Sequence, residues 1–139
     1  MHILEELNLK TSSDFAAIAL VVPISHHICW GEAVGSINER YKGMRKKYGS
    51  GLIGAVARHG RIIVIDDRLP NSEQKRLESP IMLAEKLFAA IAAPIFHDNQ
   101  IKGVLLLGSR SNRIYSQEQI EMVAEKTKEI GLLLGVESN

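Results

Sequence analysis

One stretch holds residues whose types and spacing fit the binding of a small anion. Gly49-Ser50-Gly51 precedes the apolar run 52–58, so a glycine-rich loop opens a short helix. Such a junction exposes backbone N–H groups with no partner inside the helix, and these hold anions. Farther on, Ser79-Pro80 starts another helix through residue 86. Serine suits the N-cap because its hydroxyl accepts an orphan N–H, and proline suits the first helical position. Other chemistry finds little support. A single cysteine, Cys29, excludes an internal disulfide and any Cys-pair zinc or redox motif. His26, His27, His59 and His97 read as solvated turn residues without metal-ligand spacing, so no metal is expected. No serine, cysteine or lysine sits in a nucleophile motif, and no catalytic residue is assigned. Asp66-Asp67 end a strand and read as fixing the turn after it.

The elements that must position these stretches follow from pattern. Residues 2–9 carry Ile3, Leu4 and Leu7 at helical spacing. The continuous apolar run 15–22 reads as a central strand, and 28–34 returns antiparallel to it across the turn 23–27. Residues 36–47 are polar and basic, a partly helical connection. The helix over 52–58 is stopped by His59-Gly60, and 61–65 follows as a buried strand. Residues 68–78 read as a long polar loop. Strands over 88–96 and 101–109 form a hairpin about residues 97–100, with Pro94 marking a bulge or an edge position. Ser116-Gln117-Glu118-Gln119 fits a capping box, and Ile120, Val123, Ala124, Thr127, Ile130, Gly131 and Leu134 form one apolar stripe. Leu132, Leu133 and Val136 widen that surface enough for a partner helix.

With 139 residues, 45% of them hydrophobic and 24% charged, the chain has room for one domain around one core. A net charge of +1 gives no sequence-wide grip on nucleic acid or on an acidic membrane, and the basic run 40–47 reads as a solvated loop. No apolar stretch is long enough to span a membrane and no signal peptide opens the chain, so a cytoplasmic protein is expected.

This layout resembles the GAF domain family on particular residues. They are Gly51-Leu52-Ile53-Gly54-Ala55-Val56-Ala57 ahead of a strand ending in Asp66-Asp67. Ala93-Pro94-Ile95 follows, with Ile101-Lys102-Gly103-Val104-Leu105-Leu106-Leu107-Gly108 after it, and then Tyr115-Ser116-Gln117-Glu118-Gln119. The resemblance implies that residues 1–139 form a single GAF domain of the α+β class. It would have a GAF-like central antiparallel β-sheet, with terminal helices on one face and loops plus short helices forming a ligand pocket on the other.

GAF enzymes that reduce free methionine sulfoxide need several cysteines, bilin-binding members need a cysteine in another context than Cys29, and the Asn-Lys-Phe-Asp-Glu pattern of cyclic-nucleotide binders is absent. The chain is similar instead to standalone nitrate receptors that work with an oxygen-sensing histidine kinase and its response regulator in Gram-positive bacteria. Cys29-Trp30-Gly31, Gly51-Leu52-Ile53-Gly54 and Ser79-Pro80-Ile81-Met82-Leu83 carry that similarity. It implies a ligand site of Trp30, Leu52, Ile53, Ser79, Pro80, Ile81 and Met82, with backbone N–H donors at two helix starts. Trp30 would close the pocket, and Ile81 and Met82 would form its lid. Two converging helix N-termini offset about one negative charge. Residues 49–57 hold no lysine or arginine of the kind a phosphate-bearing ligand recruits.

The expected function is a non-enzymatic sensor binding nitrate, with no other cofactor. It would modulate a partner sensor histidine kinase in a two-component system, and a homodimer could form through the terminal helices. A GAF module for a neutral metabolite or amino acid, with Asp66 or Glu78 meeting an ammonium group, is the alternative. A purely structural dimerisation domain with a filled interior is the third.

Overall fold

The computed structural model describes residues 2–22, 24–25, 27–47 and 51–137, without the side chains of 46–47 and 135–137. Gly49-Ser50, Pro23, His26 and the side chain of Val136 thus lie outside the described residues. The chain runs α1 (His2–Lys10), β1 (Phe15–Val22), β2 (His27–Val34), a 3-10 turn (Arg40–Gly43), β3 (Arg45–Lys47), α2 (Gly51–His59), β4 (Ile63–Ile65), α3 (Ser72–Leu77), α4 (Pro80–Ala84), β5 (Ala89–His97), β6 (Gln100–Ser109) and α5 (Gln117–Glu137). The strands form one six-stranded sheet of order β3-β2-β1-β6-β5-β4, every neighbouring pair antiparallel. This is the expected α+β architecture.

Both faces of the sheet are covered, which is why its central strands read as unbroken apolar runs. Ala16, Ile18, Ile91, Leu105 and Leu107 pack with Leu4 and Leu7 of α1 and with Val123 and Ile130 of α5. The alternate residues Ala17, Ala19, Ala90, Ala92, Val104 and Leu106 face Ile53 and Val56 of α2 and Met82 of α4. Alanine dominates this second face on β1 and β5, so short helices can sit close to the sheet there.

The last helix starts as its capping box requires: the Ser116 N–H donates to Gln119 Oε1 at 2.9 Å, and the Gln119 N–H donates to Ser116 Oγ at 3.1 Å. Gly60 stops α2 at φ +67°, its N–H donating to the Val56 carbonyl at 2.8 Å.

Four expectations need correction. The segment 68–78 is not a loop throughout, since α3 occupies its second half. The basic connection ends in β3, a three-residue edge strand paired with β2. The strand expected over 61–65 is confined to Ile63–Ile65. Finally, the helix expected through residue 86 ends at Ala84. Strand β2 carries an irregularity of its own. Ala17 pairs with Ala33 and Ala19 with Trp30, so a bulge at Gly31-Glu32 turns Trp30 and Ala33 to the same face. Pro94 pairs with Val104 on the β6 side, and β4 pairs only with Ala90–Ala92. Its missing N–H therefore falls where β5 has run past its short neighbour, an edge in effect.

Candidate functional site

On the α2 face, a cavity of about 350 Å³ is bounded by Trp30 and by three runs of three residues: 43–45, 51–53 and 79–81. Each wall has a local cause. The bulge after Trp30 sets that ring, half-buried, towards the cavity side of the sheet. Gly51, the first residue of α2, has φ +69°, a conformation glycine adopts without a Cβ clash. The helix it opens brings Leu52 and Ile53 to the wall. Pro80 begins α4 after an extended Ser79 (φ −108°, ψ 104°), as the Ser-Pro pair predicts.

Six of the seven expected site residues, Trp30, Leu52, Ile53, Ser79, Pro80 and Ile81, therefore line one cavity. Met82 does not. It is fully buried among core side chains, pointing to the sheet, so it is no lid. Ser79 holds the N-cap position, but its hydroxyl makes no cap hydrogen bond. Its carbonyl accepts the Leu83 N–H at 3.1 Å, while the side chain sits 1% exposed at the cavity wall.

Sequence reasoning missed Gly43, Met44 and Arg45, which come from the 3-10 turn and β3, elements too short to carry a periodic signal. Arg45 borders the cavity, but its Nη1 lies 3.6 Å from Sγ of Cys29, its cross-strand partner. Cys29 alternates with Ile28 and Trp30 and so faces away from the cavity side of β2. No carboxylate lines the cavity among the described residues. Asp66 and Glu78, considered for an ammonium group there, both lie elsewhere.

Asp66, 2% exposed, is engaged in holding the chain after β4. It accepts the Arg68 N–H at 3.0 Å, Arg68 Nη2 at 2.8 Å and the Tyr115 N–H at 3.3 Å. Burial alone pushes its carboxyl up, but these donors and the Arg68 charge hold it below the usual carboxylate value. The turn-fixing role expected for Asp66 is what its bonds perform.

The C-terminal end of α4 is clamped in place. Asn38 Nδ2 donates to the Ala84 carbonyl at 2.8 Å and Arg110 Nε to the Glu85 carbonyl at 2.9 Å. The fully buried Glu85 carboxylate accepts Arg110 Nη2 at 2.8 Å and the Ile37 N–H at 3.0 Å. Nothing local in the sequence announces this pairing across 25 residues. Its effect is to fix the helix whose first turn forms the wall at 79–81. Among the described residues no group of three His, Cys, Asp or Glu side chains could hold a metal ion, and no helix is long and apolar enough to cross a membrane.

A family model for the GAF domain matches residues 2–134. Among solved structures, the chain is similar to an NreA protein from Staphylococcus aureus mutated in its nitrate-binding site, at 33% identity and a TM-score of 0.74, covering 84% of this chain and 86% of that one. It is also similar to a hypothetical S. aureus protein at 32% identity and a TM-score of 0.73, covering 84% and 96% of the two chains. A GAF domain of an Acinetobacter phosphoenolpyruvate-protein phosphotransferase shares the fold alone, at 12% identity and a TM-score of 0.79, over 96% and 77%. A comparison with curated proteins returned no match.

Proposed function

Because this chain belongs to the GAF domain family, we propose that it is a non-enzymatic receptor for nitrate, acting in the cytoplasm on a partner sensor histidine kinase of a two-component system. The observation that carries the reading is the convergence of Trp30, Leu52, Ile53, Ser79, Pro80 and Ile81 on one cavity, in a chain 33% identical to a protein with a nitrate-binding site.

The chemistry of the cavity favours a small monovalent anion. Two helices start at its wall, and the uncapped first turn of α4 leaves N–H groups for a ligand. The partial charges of two helix N-termini offset about one negative charge. Nitrate is weakly hydrated, so a few N–H donors and the Trp30 indole N–H compensate its transfer into a cavity walled by apolar side chains together with Ser79 and Arg45. The cavity has space for roughly a dozen waters, so nitrate would enter with ordered water beside it.

The alternative readings lose support. An amino acid in this cavity would bring an ammonium group to a lining without a described carboxylate. A purely structural module would have filled the space with side chains.

Calorimetric titration of the purified chain with sodium nitrate, with sodium chloride as control, is the decisive experiment. We expect saturable heat with nitrate that chloride does not reproduce. Equal responses to both salts, or none to either, would refute the nitrate assignment. Acting on a kinase would require nitrate to change the affinity of the two proteins for each other, and the kinase to change nitrate affinity by the same factor.

A further inference from the structure

A second cavity of about 370 Å³ adjoins the first, with Gly51 and Leu52 lining both. Its remaining walls are apolar side chains from α2, β4 and the loop after it, among them Ala55, Ile63, Ile65 and Leu69. Two charged residues of opposite sign complete the lining among the described residues, Lys75 and Glu78, on α3 and at its C-cap.

At a spacing of three on a helix these two share a face and are placed to pair. They do not pair here. Arg76 and Glu73 of the same helix, at the same spacing, close an ion pair at 3.2 Å. Glu78 instead accepts a long hydrogen bond from Gln74 Nε2 at 3.3 Å, and Lys75 has no carboxylate partner among the described residues. An apolar enclosure with one unneutralised cation and one anion at its rim matches a particular ligand chemistry. A lone anion or a lone cation would leave one of the two rim charges unmatched.

We propose that this cavity is a second ligand site, and that it takes a zwitterionic α-amino acid with an aliphatic side chain. The ligand ammonium would meet Glu78 and its carboxylate Lys75. Its side chain would lie against Ala55, Ile63 and Leu69, where apolar burial contributes to affinity. The site does not depend on the nitrate reading.

The test titrates the full chain with L-leucine, with isocaproate (leucine without its ammonium) and with isoamylamine (leucine without its carboxylate). We expect saturable leucine binding, and binding at least tenfold weaker for each truncated analogue. Glu78→Gln and Lys75→Gln, both at exposed positions, should each weaken leucine binding at least tenfold. Ala55→Phe, which fills the cavity, should abolish it, while nitrate titrations of the Glu78 and Lys75 variants match wild type. Absence of a saturable leucine signal overturns the proposal, as do wild-type leucine affinities in both charge variants. Competition between nitrate and leucine for one site overturns it too, because leucine would then occupy the first cavity. Leucine binding without any nitrate binding would sink the nitrate reading and leave this site standing.

Discussion

Trp30 and Asp66 show how different two residues can be when both are noticed in the sequence. Trp30 was legible as a pocket residue only through the family resemblance, since a lone tryptophan in a strand is equally a core residue by pattern. Its placement rests on the bulge at Gly31-Glu32, which alternation along β2 does not foretell. If the indole N–H donates to the anion, Trp30→Phe keeps the flat ring and removes the donor. A hydrogen bond to a charged group contributes about 1.5–3 kcal/mol, so nitrate affinity should fall by at least tenfold in calorimetry, with an unchanged circular dichroism spectrum. Met82 was misplaced because a buried helix start presents successive residues to different sides, and its side chain went to the sheet. Asp66 governs stability rather than binding. Its folded-state carboxyl is held below its ordinary value, so its contribution is complete above about pH 4 and is lost as pH falls through the folded-state value. Asp66→Asn should cost about 2 kcal/mol at neutral pH. Its melting temperature should also change less than wild type's between pH 7 and pH 3, which thermal melts at the two pH values will check.

Among the elements, those with a long periodic pattern or a chemical start signal were readable, and those built from one turn or three residues were not. The helix α5 declared itself by its capping box, and Ser116→Ala should remove about 1 kcal/mol, read as a lower urea midpoint. The helix α3 escaped notice because Ser72–Leu77 has no apolar stripe and no buried residue. The strand β3 escaped because Arg45-Lys46-Lys47 is an edge whose pairing is decided by β2. The placement of α4 depends on Arg110, which lies in the chain far beyond it. Arg110→Ala leaves the carboxylate of Glu85, 0% exposed, with the Ile37 N–H as its one remaining described donor. Breaking such a pair from one side costs about 3 kcal/mol or more. The variant should melt lower and bind nitrate more weakly, because the wall at 79–81 loses its anchor. Adding Glu85→Gln should restore part of the stability, since the unpaired buried charge is then gone; a double variant no more stable than Arg110→Ala would assign the loss to some other contact of Arg110.

The molecule as a whole is a sheet with two occupations, one face holding the two cavities and the other the terminal helices. Gly131 tests how independent these faces are. It lies in α5 where the helix meets β5, and a Cβ added there would run into the carbonyl oxygen of Phe96. Alanine at this position favours the helix by about 1 kcal/mol over glycine. The obstacle is backbone, however, not the end of a flexible side chain, so the helix must lift from the sheet, at a cost of about 1–3 kcal/mol. The net effect of Gly131→Ala should be a lower melting temperature, by about 4 °C for each kcal/mol lost in a domain of this size. Nitrate affinity should stay within twofold of wild type, because β1, β6 and β5 are hydrogen-bonded on both sides and the residues facing α5 alternate with those facing the cavity. Calorimetry on the variant decides between two pictures of signalling. If the chain acts on a partner as proposed, an unchanged affinity means that the partner reads the cavity face itself, through α2, α3 or α4. An affinity that falls with the melting temperature means that the sheet transmits the position of α5 to the cavity, and then the terminal helices are where a kinase or a second copy would sense the ligand.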